Sequence, residues 1–167
     1  MGKIQKFRIL CCVLLCFWMI LIFVFSYQNA AKSSKTSGAF VTLVVETVYP
    51  KYETLSSQKQ DSIISIVTFL VRKAAHFIEY FILGVLSWLN VITFDKIKIW
   101  FCAVISFAFG VLYSICDEIH QYFVPGRACR ILDVLIDGTG VLLAVILLTL
   151  IVCKSSKIRS KLREINA

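Results

Sequence analysis

Long apolar runs, broken by short polar stretches, set the rhythm of this chain. Residues 9–27 form one such run behind a basic N-terminus, with no charge inside it. Further runs cover 74–94, 97–116 and 131–153. Each is close to the roughly 20 residues that an α-helix needs to cross a bilayer, so four spans are expected. The first is too long for a secretory h-region of about 7–15 residues, and Gln28-Asn29-Ala30-Ala31 is a poor cleavage site, so it reads as a retained anchor.

Between the first two spans the pattern turns polar. The stretch AAKSSKTSG reads as a solvated loop, while 38–48 and 61–71 carry apolar residues over lengths short of a span. These two are expected to be short helices lying at the membrane interface. The turn Asp95-Lys96 and the Pro125-Gly126 loop are short, which makes the second, third and fourth spans antiparallel neighbours. The predicted fold is an all-α, four-helix transmembrane bundle forming one domain over residues 1–167, with a loop over 28–73 and a basic tail over 154–167.

Composition supports lipid as the solvent. The chain is 59% hydrophobic and 17% charged, against about 45–50% and about 25% in soluble domains. The seven glycines and two prolines are too few for a turn-rich β-barrel. The excess charge of +8 also changes the picture, because all of it falls on one side. Lys3, Lys6, Arg8, Lys96, Lys98 and the tail residues Lys154, Lys157, Arg159, Lys161 and Arg163 flank one set of run ends, whereas basic and acidic residues balance on the other. By the positive-inside rule both termini are cytoplasmic, and the expected partners are membrane lipids and not nucleic acid. The cysteines sit mostly in apolar runs without CxxC spacing and read as small apolar residues.

Candidate chemistry lies where polar residues enter the spans. A charge at the bilayer centre costs about 2.5–3.5 kcal/mol even on the lenient insertion scale, so each needs a reason. In the second span Arg72, His76, Glu79 and Leu83 fall on one helical stripe, with Lys73 and Tyr80 at its edge. In the third, Asp117, His120 and Gln121 share a face bordered by Glu118; in the fourth, Arg130, Asp133, Asp137 and Gly140 do so. Glu79 and Asp137 lie about 9–10 Å below the outer boundary at about 1.5 Å per residue, so alternating spans bring these groups to one leaflet. One outward-facing polar pocket is the economical reading, against the plainer one in which each residue merely hydrogen-bonds helices together or snorkels.

Three segments resemble the VanZ-like family of bacterial membrane proteins, named for a member associated with resistance to the lipoglycopeptide teicoplanin. They are FVFSYQ, RKAAHFIEYFILG and DEIHQYFVPGRACRILDVLIDGTG. The resemblance carries family positions onto Ser26 and Gln28, onto Arg72, Lys73, His76, Glu79 and Tyr80, onto Asp117, Glu118, His120, Gln121, Pro125, Gly126 and Arg127, and onto Asp133, Asp137 and Gly140. It implies a multi-pass protein of the bacterial cell membrane.

Two functions compete. In one, Arg72, Lys73, Tyr80, Gln121, Arg127, Asp133 and Asp137 bind an anionic headgroup of an envelope lipid or cell-wall lipid precursor, and so alter how lipid-tailed glycopeptides reach their target. In the other, His76, Glu79, Asp117, Glu118 and His120 do acid-base catalysis on such a headgroup. The second lacks a serine or cysteine nucleophile at a convincing spacing, and neither HxxE nor DExHQ is the HExxH of zinc proteases. No cofactor or metal is expected. A carrier is weaker still, because the ionisable residues stop in one leaflet without a relay across it.

Overall fold

The computed structural model describes residues 2–27, 30–94, 97–125 and 129–155, with the side chains of residues 3, 30–37 and 39 left aside. All the described regular structure is helical: α1 (Lys3–Tyr27), α2 (Ala30–Val48), a 3-10 turn (Tyr52–Thr54), α3 (Ser57–Val91), α4 (Ile99–Tyr122) and α5 (Ile131–Lys154). Three of these, α1, α4 and α5, are long and apolar enough to cross a membrane, and the protein is a multi-pass membrane protein. The turn Asp95-Lys96 and residues 156–167 of the basic tail lie outside the described residues.

Chain chemistry explains the boundaries. Pro50 follows the end of α2, and Pro125 follows the end of α4, where a residue without N–H cannot continue the ladder. At the start of α5, Asp133 lies in the first turn, where a carboxylate favours the positive helix end. From Ser57 no proline or glycine occurs until Gly84, and α3 accordingly runs 35 residues without a break. Residues 61–71, expected as a separate short helix, are therefore the first half of the rod that carries the second apolar run. Residues 38–48 are likewise part of the longer helix α2.

The bundle is apolar on its outside as well as in its core, and its buried residues include a set of polar ones. Large apolar side chains such as Leu10, Phe17, Ile20, Phe101, Ile131 and Leu132 face outward, while Ser26, Ser106, Ser114, Asp117, Glu118 and Asp137 are buried. With no water in hydrocarbon, polar groups gather inward and small residues let the helices approach. A methyl group at Gly140 of α5 would come within 2.5 Å of the Phe77 carbonyl oxygen of α3, and one at Gly84 of α3 within 3.0 Å of the Val141 backbone. Val141, fully buried, fills the space between Gly84 and Gly110.

Cross-helix contacts fix the directions. Lys73 meets Asp133, Phe77 meets Gly140, and Trp88 Nε1 donates to Thr149 Oγ1 at 3.1 Å, so α3 and α5 run in parallel. The helix α1 runs against α3: Cys12 Sγ donates to Asn90 Oδ1 at 2.9 Å near one end and Trp18 Nε1 to the Glu79 carbonyl at 2.9 Å further along. Tyr113 of α4 donates to the Met19 carbonyl at 2.6 Å. Because Lys73 sits level with the start of α5, residues 57–72 of α3 extend roughly 24 Å beyond it at about 1.5 Å per residue, with α2 packed alongside.

Candidate functional site

The buried face of each of α3, α4 and α5 changes character at the end where Lys73 meets Asp133. On α4 the stripe Cys102, Ser106, Gly110, Ser114, Asp117, Glu118, Gln121 grows from small to acidic, and on α5 it passes from Val145 through Gly140 to Asp137 and Asp133. Helical spacing of three and four residues puts these groups in register, and the close Gly140–Phe77 approach presses α3 onto them.

Two hydrogen-bonded clusters result. In the first, Ser26 of α1 donates to Asp117 Oδ2 at 2.8 Å, and Gln121 Nε2 donates to the same oxygen at 2.8 Å. In the second, Ser114 donates to Asp137 Oδ2 at 2.7 Å, and His76 Nδ1 lies 3.8 Å from Asp137 Oδ1 and 4.0 Å from Glu79 Oε2. Glu118 Oε2 accepts the backbone N–H of Arg130 at 2.9 Å, which ties the loop before α5 to α4. At the rim, Lys73 and Asp133 form an ion pair.

Acid dominates the interior. Asp117, Glu118, Asp133 and Asp137 lie within electrostatic reach of one another, and Lys73, paired with Asp133, lies within reach of Glu118. Tyr80, wholly buried, sits within reach of Asp117 and Asp137. Among the described residues Asp117 Oδ1, Glu118 Oε1 and Asp137 Oδ1 accept no hydrogen bond. Among the described residues no three His, Cys, Asp or Glu side chains are arranged to hold a metal ion.

The structure brings most of the expected residues to one end of the bundle and reassigns several. Tyr80 lies at the centre of the α3 stripe and not at its edge, because the contact face is set by where Gly140 lets α5 approach. Glu79 is correspondingly displaced toward the surface, and its backbone carbonyl serves Trp18. Arg72 is half-buried on α3. The two histidines have different surroundings: His76 faces Asp137, whereas the His120 ring packs on Phe23 of α1 at 4.2 Å between centroids and stacks on Tyr27 at 6.1 Å. Arg127, with Gly126 and Gln28, lies outside the described residues. Ser114 was not anticipated. Its signal is positional, one turn inward of Asp117 and Glu118 on the same face.

A comparison with protein families matches residues 11–152 to VanZ/LLP1, which takes in all of these polar groups. The chain belongs to the VanZ/LLP1 family. No curated protein and no solved structure matches it. In this VanZ/LLP1 chain RKAAHFIEYFILG supplies His76 and Tyr80 from α3, DEIHQY supplies Asp117, Glu118 and Gln121 from α4, and ILDVLIDGTG supplies Asp133 and Asp137 from α5. FVFSYQ adds Ser26 from α1.

Proposed function

We propose that this polar cluster binds the headgroup of an anionic cell-envelope lipid or cell-wall lipid precursor at the outer leaflet, and thereby lowers susceptibility to lipoglycopeptides such as teicoplanin. On this reading the second half of α3 is a fourth span, both termini are cytoplasmic, and residues 1–167 are one membrane domain. The one-sided excess of basic residues supports that orientation.

The observation that carries the reading is the buried set of unsatisfied oxygens beneath an ion-paired rim. Lys73 is held by Asp133, with Arg72 adjacent in sequence, so a phosphate or carboxylate entering there exchanges one anionic partner for another. Below it, Asp117, Glu118 and Asp137 offer acceptor oxygens to hydroxyl or amine groups of the same headgroup. Buried polar atoms without partners cost about 1–3 kcal/mol each, a penalty a ligand relieves.

The test pairs retention of anionic phospholipid by the purified protein, read by native mass spectrometry, with teicoplanin susceptibility of cells expressing it. Wild type is expected to retain lipid and protect cells, and Lys73→Met/Asp133→Asn and Arg127→Ala variants, verified in the membrane, are expected to lose both. An inserted variant that protects as well as the parent would overturn the proposal.

A further inference from the structure

Asp117 and Glu118 of α4 and Asp137 of α5 are all held in the same way. One oxygen of each is fixed by a protein donor: Asp117 Oδ2 by Ser26 and Gln121, Glu118 Oε2 by the Arg130 backbone N–H, and Asp137 Oδ2 by Ser114. The other oxygen of each is buried and accepts no hydrogen bond among the described residues. His76 Nδ1, at 3.8 Å from Asp137 Oδ1, stands beyond hydrogen-bond length. The three residues are exposed by only 3%, 1% and 0%, so bulk solvent does not serve the bare oxygens either. With one oxygen pinned, each carboxylate has little freedom to turn, and the direction of its bare oxygen is set.

The spread of these oxygens selects the group that serves them. Because no three acidic, histidine or cysteine side chains among the described residues are arranged to hold a metal ion, the bare oxygens do not converge on one small cation. A single ammonium is a poor match for the same reason, and a phosphate brings acceptors where donors are needed. Hydroxyls fit: each supplies one O–H donor, and neighbouring hydroxyls on a carbon chain or ring present their donors at separate points. A hydrogen bond from a neutral donor to a carboxylate is also among the strong ones. Depth agrees, since Asp137 lies one turn beyond Asp133 on α5, about 6 Å further along the axis from the Lys73 rim at about 1.5 Å per residue. A polyol bonded to a phosphate at that rim points toward the bare oxygens. We infer that the headgroup is a phosphate-linked polyol whose vicinal hydroxyls donate to Asp117 Oδ1, Glu118 Oε1 and Asp137 Oδ1. The inference rests on the headgroup reading above and narrows its ligand class.

Native mass spectrometry of the full-length protein tests it, with lipids of matched acyl chains offered in equal amounts. Phosphatidic acid carries phosphate alone, phosphatidylglycerol adds a vicinal diol, phosphatidylinositol a ring of hydroxyls, and phosphatidylethanolamine an ammonium without hydroxyls. Wild type should retain phosphatidylglycerol or phosphatidylinositol at least fivefold over the other two. Asp137→Asn and Glu118→Gln keep an oxygen for Ser114 and for the Arg130 N–H but set an amide donor where the bare oxygen stood. Each should lower that preference at least threefold, and the wild-type series is decisive even if neither variant folds. Free glycerol phosphate that displaces phosphatidylglycerol at equal concentration supports the hydroxyl chemistry with a soluble source, and failure to displace it supports a lipid source. Equal retention of phosphatidic acid and the hydroxylated lipids overturns the inference and leaves the headgroup reading standing. Preference for phosphatidylethanolamine makes the occupant a cation and also overturns it. So does a hydroxyl preference that both folded variants keep unchanged. If wild type retains none of these lipids, the headgroup reading itself fails and the inference falls with it.

Discussion

Lys73 of α3 and Asp133 of α5 are ion-paired across two parallel helices, with side chains 13% and 11% exposed. Removing one partner leaves the other charged and largely buried. Lys73→Met and Asp133→Asn alone should each destabilise the bundle by about 2 kcal/mol, below the roughly 3–5 kcal/mol of a fully buried pair because some solvent reaches these groups. The double variant should cost less than the sum. A double-mutant cycle in mixed-micelle denaturation measures the difference, and simple additivity would show that the pair contributes nothing.

Gly140 predicts a contrast within one helix. A methyl group there meets the Phe77 carbonyl oxygen at 2.5 Å, whereas one at Gly138 comes no closer than 3.7 Å to Val111. Gly140→Ala should lower stability by about 1–3 kcal/mol through overpacking, and Gly138→Ala should change it little. Thermal unfolding of the two variants side by side is sufficient.

Ser114 and Asp137 can be separated by isosteric changes. Asp137→Asn keeps an oxygen for the Ser114 hydroxyl and should fold as wild type does, whereas Asp137→Leu and Ser114→Ala remove one side of the bond and should each cost about 1–3 kcal/mol. If Asp137→Asn is as damaging as Asp137→Leu, the negative charge itself is required.

Native cysteines report the topology. Cys129 precedes α5 and Cys153 closes it, and both are exposed. In single-cysteine variants of intact cells, a membrane-impermeant maleimide should label Cys129 and spare Cys153 until the cells are opened. The reverse pattern would place the polar site at the cytoplasmic leaflet.

The apolar runs announced the three spanning helices because hydrocarbon leaves little choice of backbone structure. The continuity of α3 was harder to see, since polar residues such as Gln58, Lys59 and Gln60 suggest a loop although nothing between Ser57 and Gly84 breaks a helix. Most of the site was legible because ionisable groups inside spans are conspicuous. Its internal order was not. A helical wheel of α3 cannot tell from which side α5 arrives, so Tyr80 was placed at the edge, and a lone serine in an apolar run, such as Ser114, carries no charge to draw notice. The position of His120 against Phe23 depends on α1, whose own sequence gives no sign of which face meets α4.

One rod serves two places. Because α3 runs unbroken from Ser57 past Lys73, the segment that packs on α2 and the segment that Gly140 lets approach α5 belong to one continuous element, so neither packing arrangement is set independently of the other.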